Sequence, residues 1–229
     1  MEILERVRRA SHQVLSGKAG GERDSVLFER APYPFPVIAT MLRAALENDR
    51  SLSVLDFGGA LGSSYRQCKD FLKNVRSLHW GVVEQAHYVK CGKQEFEDES
   101  LRFYETVEAG ALASRPHVIL VSGVLQYMAA PEEVLMSFVA TGTQYIVIDR
   151  TPVSMSRRQI ISTQIVPRSI IPSSYPLWLF DENRLKAPLL AEYEEIASFP
   201  AVDGTLGSGA LQAAFKGFIF KKKGTVAKG

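Results

Sequence analysis

The residues most suited to chemistry lie in Asp56-Phe57-Gly58-Gly59-Ala60-Leu61-Gly62-Ser63, where a short apolar run, Val54 to Phe57, passes into a glycine-rich turn. Without a Cβ in the way, such a turn brings backbone N–H groups close to a ligand. In an open α/β sheet, ligands gather at the carboxyl ends of the strands. A second candidate, Glu84, ends the next β-rich run, Leu78 to Glu84. A carboxylate there can accept two hydroxyl protons at once. A third, Asp149, ends the apolar run Tyr145 to Asp149 beside Arg150. It is the best-placed acid for general-base work, in competition with a purely structural Asp149–Arg150 neighbourhood. A dinucleotide fingerprint would require G-x-G-x-x-G. Gly58, Ala60 and Ser63 would occupy its places, and they match it poorly.

These residues need elements to carry them. Glu2 to Leu15 reads as an amphipathic helix, closed by the glycines from Gly17 to Gly21. Residues 22–29 mix polar and apolar character, and Pro32, Pro34 and Pro36 follow them. Val37 to Leu46 reads as a helix. From Ser53 onward strands alternate with helices: strands at 53–57, 78–84, 101–105, 117–121 and 145–149, helices at 63–75, 86–96, 109–113 and 131–140. Runs such as His117 to Val121 suit a parallel sheet covered on both faces. Five strands separated by helices predict a doubly wound α/β domain. Residues 151–180, rich in proline, then break the pattern and predict a loop-rich insertion with a functional role. A helix at 181–190 and two strands, 192–199 and 214–221, paired antiparallel, complete the chain. His117, at the start of its strand, is expected to be structural.

Composition narrows the function classes. The chain has 229 residues, 46% hydrophobic and 23% charged, with 27 basic against 25 acidic side chains and a net charge of +2. That is the profile of an ordinary globular domain. It supplies no global field for nucleic acid, so no nucleic-acid partner is expected. Cys68 and Cys91 fit a reducing compartment and stand in no zinc spacing, and His12, His79 and His87 are scattered, so no metal is expected. No apolar run approaches the about 20 residues of a membrane span, and the charged N-terminus lacks a signal-peptide core. These features predict a cytoplasmic chain without stable membrane insertion, its oligomeric state left open. Lys221, Lys222 and Lys223 read as a solvated end.

The spacing Asp56-x-Gly58-x-Ala60-x-Gly62 resembles the first motif of class I S-adenosylmethionine-dependent methyltransferases, D-x-G-x-G-x-G, with Ala60 in place of the middle glycine. Further segments extend the resemblance over nearly the whole chain: Glu22 to Phe28, Val82 to Gln85, Leu125 to Tyr127, Ile148 to Pro152 and Ser174 to Trp178. Together they resemble a methyltransferase family encoded in bacterial surface-polysaccharide and lipopolysaccharide gene clusters.

The resemblance implies a Rossmann-like, doubly wound, seven-stranded mixed sheet, with N-terminal helices and a cap insertion after strand five. Residues 1–50 would be a helical segment and lid, 51–229 the methyltransferase domain, and 151–180 the cap. S-adenosylmethionine is the implied cofactor. Its site would comprise Asp56, Gly58, Gly59, Ala60 and Gly62 of the turn, Glu84 on the ribose hydroxyls, Gln85 at the adenine edge, Thr106 (or Glu105) after strand three, and Ser122 and Gly123 along the methionine arm. Arg23, beside Asp24, would bind the methionine carboxylate or clamp the lid. Tyr127, Arg150, Tyr175 and Trp178 are the acceptor candidates. Arg157, Arg158 and Arg168 flank those aromatics and suit a sugar or phosphate-bearing carrier, although Tyr175 and Trp178 also fit the role of core anchors. The implied reaction is methyl transfer to a sugar hydroxyl or amine of a small-molecule or glycan acceptor. A catalytically silent methyltransferase-like binding subunit, or a nicotinamide-dependent sugar-modifying enzyme, are the competing readings.

Overall fold

A computed structural model describes residues 2–23, 25–30, 33–166 and 173–224. Asp24, Pro32, Pro167, Arg168 and Pro172 of the sequence reading lie outside the described residues. The chain begins with α1 (Glu2–Leu15), which buries Val7, Ala10 and Ser11. Residues 22–29, with no periodicity of their own, form part of a small antiparallel hairpin, β1 (Gly21–Arg23) and β2 (Val26–Phe28). Pro36 sits in the first turn of α2 (Phe35–Glu47), where its missing N–H costs nothing.

The alternation then follows the sequence closely: β3 (Ser51–Phe57), α3 (Ser63–Lys69), β4 (Ser77–Val83), α4 (Ala86–Glu95), β5 (Leu101–Tyr104), α5 (Val107–Ser114), β6 (Val118–Ser122), α6 (Pro131–Thr141) and β7 (Tyr145–Ser154). The helix expected over 63–75 stops at Lys69 and ends in a single 3₁₀ turn, Asp70–Leu72. The insertion differs from the expected loop. β7 runs on to Ser154, and β8 (Ile160–Val166) pairs with β9 (Ser173–Leu179) as an antiparallel hairpin. Proline breaks a strand only where its N–H is needed, and Pro176 stands in this two-stranded ribbon opposite Thr163. α7 (Glu182–Leu190), β10 (Tyr193–Leu206) and β11 (Ala213–Lys222) complete the chain.

Seven strands form one mixed sheet in the order β10-β11-β7-β6-β3-β4-β5. The described residues fall into two compact units, one running to Ile119 and one from Leu120. In the first, β3, β4 and β5 pair in parallel, so Phe57, Val83 and Tyr104 stand together at the carboxyl edge. Val54 and Leu55 of β3 and Trp80 and Val82 of β4 are fully buried. His117 accepts the Ser53 N–H on Nδ1 at 3.2 Å and donates its own backbone N–H to Ser53 O at 2.8 Å, the structural role expected of it. In the second unit, β7, β11 and β10 pair antiparallel around Tyr145, Ile146, Ile148, Phe218 and Phe220, all buried. Tyr193 is buried there too and donates its hydroxyl to Thr143 O at 2.8 Å.

Candidate functional site

In the first unit the turn after β3 is bent through three left-handed residues, Gly58 (φ 72°), Ala60 (φ 51°) and Gly62 (φ 94°). Glycine takes this conformation without cost, whereas alanine pays for its Cβ. The bend is stitched at both ends. Gly58 N–H donates to Val83 O at 2.9 Å, and Gly62 N–H to Gly59 O at 2.9 Å. Gly59 has a second constraint: a Cβ there would stand 2.5 Å from Asp56 Oδ2.

Asp56 therefore lies packed under the turn. It is 1% exposed, and Trp80 Nε1–H donates to its Oδ2 at 3.3 Å. Burial pushes its carboxyl up to about 7, a rise that Trp80 and Ser64 hydrogen bonds oppose and the nearby Glu84 charge reinforces. Its direct contacts are with the chain itself, so it shapes the turn from below. Glu84 follows β4. Its carboxylate accepts the Gln85 N–H at 2.9 Å and is also hydrogen-bonded by the Ala60 backbone. Burial holds its pKa above the usual carboxylate value in spite of those bonds. The structure thus brings Gly58, Gly59, Ala60, Gly62, Glu84 and Gln85 to one strand edge. Thr106 stands just after β5, where its Oγ1 accepts the Ala109 N–H at 3.1 Å and caps α5.

The N-terminal segment is tied to this turn by residues that the sequence reading missed. Arg66 of α3 donates to Leu61 O at 2.9 Å and to Ser11 Oγ at 3.0 Å, and lies 3.7 Å from Glu22 Oε1. Ser63 Oγ donates to the same Glu22 oxygen, and Glu22 is 3% exposed. Burial lowers the Arg66 pKa, with Glu22 opposing that shift. An arginine on a short helix reads in sequence as a solvated charge, and nothing local reveals a partner 44 positions upstream. Arg23, the neighbour expected at the site, instead places its guanidinium 5.7 Å from the Phe28 ring centroid.

In the second unit, Ser122 ends β6 and Gly123 follows it. Gly123 N–H donates to Asp149 O at 3.0 Å, and Ser122 Oγ to Asp149 Oδ2 at 3.2 Å. Asp149 is 5% exposed, and burial raises its pKa against the opposing pull of Arg150. Arg150, expected to meet the acceptor, is bent into the left-handed region (φ 52°). It grips Asp203 with two bonds, Nε to Oδ2 at 3.0 Å and Nη2 to Oδ1 at 3.2 Å. Its first role is thus to pin the long β10–β11 hairpin.

The aromatic pair expected in the cap divides. Tyr175 meets Tyr127 edge to face, with ring centroids 5.3 Å apart, and Tyr127 donates its hydroxyl to Gln164 Oε1 at 2.9 Å. Trp178 points the other way along β9. Its Nε1–H donates to Met128 O at 2.9 Å, and its ring stacks on Phe180 at 6.2 Å. That is the anchoring alternative considered for it. Arg157 and Arg158 are exposed between β7 and β8.

Neither a protein-family model nor a curated protein sequence matches the chain. Solved structures do. The N-terminal domain of EvdMO1, solved in the presence of SAH and D-fucose, is similar over 97% of this chain and 98% of its own, with 14% identity and a TM-score of 0.56. The fold is that of class I methyltransferases. A putative S-adenosylmethionine-dependent methyltransferase from Listeria monocytogenes is similar over 82% of this chain and 97% of its own (8% identity, TM-score 0.53). Magnesium protoporphyrin IX methyltransferase from Synechocystis PCC 6803 with bound SAH is similar over 96% and 93% (13% identity, TM-score 0.51). Among the described residues, no helix is long and apolar enough to cross a membrane.

Proposed function

We propose that the chain is an S-adenosylmethionine-dependent methyltransferase that acts in the cytoplasm on a sugar hydroxyl or amine of bacterial surface-polysaccharide biosynthesis. The observation that carries the first half is the turn at 58–62 beside Glu84. Three left-handed residues leave the backbone open to close approach, and a half-buried carboxylate stands next to it. A neutral sugar-nucleoside suits that set: the carboxylate accepts hydroxyl protons, and no phosphate-binding fingerprint is present. The solved neighbours support the same cofactor, since those compared above carry SAH or are described as S-adenosylmethionine-dependent. The D-fucose present with EvdMO1, together with the family resemblance, supports a sugar acceptor.

When bound, S-adenosylmethionine supplies an electrophilic methyl group. The chain's own part is positioning and proton transfer. Glu84 holds the two ribose hydroxyls, Gln85 stands at the adenine edge, and Asp56 fixes the turn from beneath. Asp149 takes the proton of a hydroxyl acceptor. The burial that raises its pKa makes it a stronger base, while Ser122 orients one of its oxygens. The same burial of Asp149 favours the second reading, a methyltransferase-like subunit that binds cofactor without turning over.

Calorimetric titration with S-adenosylmethionine and NAD(P) side by side tests the reading. The wild type should take up only the former, and Glu84→Ala should lose charge-assisted hydrogen bonds of roughly 1.5–3 kcal/mol, about tenfold to a hundredfold in affinity. Unchanged affinity would remove the ribose assignment. With a methyl acceptor in hand, Asp149→Asn should slow turnover by roughly 10²–10⁴-fold with binding little altered, and an active Asn variant would exclude the base. Surface glycan from a deletion strain, analysed by mass spectrometry, tests the pathway: unchanged methylation rejects it.

A further inference from the structure

The second unit contains a cavity of about 370 Å³. That is toward the lower end of the size range of small-ligand pockets, about 300–1,000 Å³. Its apolar wall is Leu177 and Leu179 of β9 together with Leu206, Leu211 and Phe215 from the β10–β11 hairpin. Leu177, Leu179 and Ala213 are one buried cluster, with Leu206 and Ile160 packed against it, so this wall is built into the hydrophobic core of the unit. The hairpin tip holds its shape through Gly207, which sits at φ 70° and where a Cβ would lie 2.3 Å from Leu211 O. The polar side is the Tyr127 hydroxyl bonded to Gln164, with Ser162 and Thr163 beside them. Among the described residues, no lining residue carries a charge.

That last fact decides the class of ligand. An anionic group placed against five apolar side chains and a few neutral hydroxyls and amides would lose its hydration without gaining a cation. Of the arginines that the sequence offered for a phosphate, Arg168 lies outside the described residues. Arg157 and Arg158 are exposed outside the lining, and Arg150 is held by Asp203. A neutral molecule with one apolar face and a few hydroxyls meets both walls.

We infer that this cavity takes the uncharged, amphipathic part of the acceptor, a hydroxylated ring bearing an apolar substituent, and that any phosphate of the acceptor stays outside it. The inference rests on the methyltransferase reading for the word acceptor, and on the cavity alone for the ligand class.

The test is calorimetry or saturation-transfer NMR on the full chain with three probes: phenyl β-D-glucopyranoside, glucose and glucose 1-phosphate. Phenyl glucoside should bind, and glucose 1-phosphate should bind no better than glucose. Leu211→Asp changes a residue 45% exposed, which tolerates a charge in the folded chain. It should weaken phenyl glucoside by about tenfold or more, because an ionised carboxylate faces the apolar ring. Gln164→Ala, on the polar side, should weaken it by a smaller factor and serves as the second variant. Absence of phenyl glucoside binding, preference for glucose 1-phosphate, or binding indifferent to both variants would overturn the inference. S-adenosylmethionine titrated into the same preparation keeps the two ideas apart. Cofactor binding without phenyl glucoside binding sinks the cavity alone. Phenyl glucoside binding that Leu211→Asp abolishes, in a chain that ignores S-adenosylmethionine, upholds the ligand class and sinks the methyltransferase reading.

Discussion

At the turn after β3, the backbone is bent through three left-handed residues and held over ionisable groups taken out of water: Asp56 beneath it, Glu84 beside it, Arg66 and Glu22 behind it. At the hairpin β8–β9, the backbone is ordinary extended ribbon, and the cavity it lines is neutral among the described residues. The first region spends conformational and desolvation energy to fix a shape. The second relies on apolar packing, with Ile161 and Ile165 left exposed at 60% and 79%. Strain and buried charge are the expected marks of a site that must hold one conformation for one ligand, whereas neutral apolar walls tolerate variation in what they enclose.

The contrast is sharpest in its response to pH. The Asp56 carboxyl is pushed up to about 7 from an ordinary value of 3.8. An acid whose folded pKa is raised contributes stability that is fully present below the unfolded pKa and lost as pH rises through the folded one. A shift of about three units corresponds to about 4 kcal/mol, lost between about pH 4 and pH 7. Asp56→Asn keeps an oxygen for the Trp80 N–H and removes the titration. Urea unfolding at pH 4 and pH 8 should show the wild type losing about 4 kcal/mol more than the variant over that interval. Parallel pH profiles would mean that Asp56 ionises as it does in water, and the contrast with the neutral cavity would lose its main support.

Gly58→Val comes next in size. Gly58 has φ 72°, where a β-branched residue is a genuine outlier, and its side chain would also stand between backbone and ligand. S-adenosylmethionine affinity should fall by about a hundredfold or more, roughly 2.7 kcal/mol. Retained affinity would show that the turn does not approach the cofactor. On the other side of the comparison, Trp178→Ala removes a half-buried ring and its bond to Met128 O. It should cost about 2 kcal/mol of stability with cofactor affinity unchanged, less than the 3–5 kcal/mol of a fully buried tryptophan. Lost affinity in a stable variant would instead place Trp178 in the cofactor site.

What the sequence disclosed divides along the same line. Strand, glycine turn and helix at 54–69 were legible because each depends on neighbours in the chain: apolar runs make buried strands, and glycine marks left-handed backbone. Glu84 was singled out by its place at a strand end. The hairpin β8–β9 was read as loop because Pro167, Pro172 and Pro176 signal interruption, whereas pairing of Ile160 with Leu179 is a long-range fact with no local mark. Tyr175 and Trp178 were named together, yet they face opposite ways. Strand alternation decides that, and it becomes visible only once the segment is known to be a strand. Glu22 with Arg66, and Arg150 with Asp203, escaped for the same reason: an ion pair drawn partly or wholly out of water looks, residue by residue, like two surface charges.

The smallest predicted effect tests the turn from the favourable side. Ala60 departs from the glycine of the resembled motif and sits at φ 51°. An L-residue there pays about 1–2 kcal/mol for the contact of its Cβ with the following carbonyl. Ala60→Gly relieves that cost, but it also frees the unfolded chain, which offsets about 0.4–1 kcal/mol. The bond from the Ala60 backbone to the Glu84 carboxylate does not use the Ala60 side chain and survives the change. The variant should therefore gain roughly 0.5–1 kcal/mol in urea unfolding, with S-adenosylmethionine affinity equal or higher, since a methyl group is removed from the face of the turn. A stability loss would show that the Ala60 methyl makes packing contacts worth more than the strain. The turn would then be held by side-chain packing, as the cavity wall is, and the distinction between the two regions would narrow to their charge.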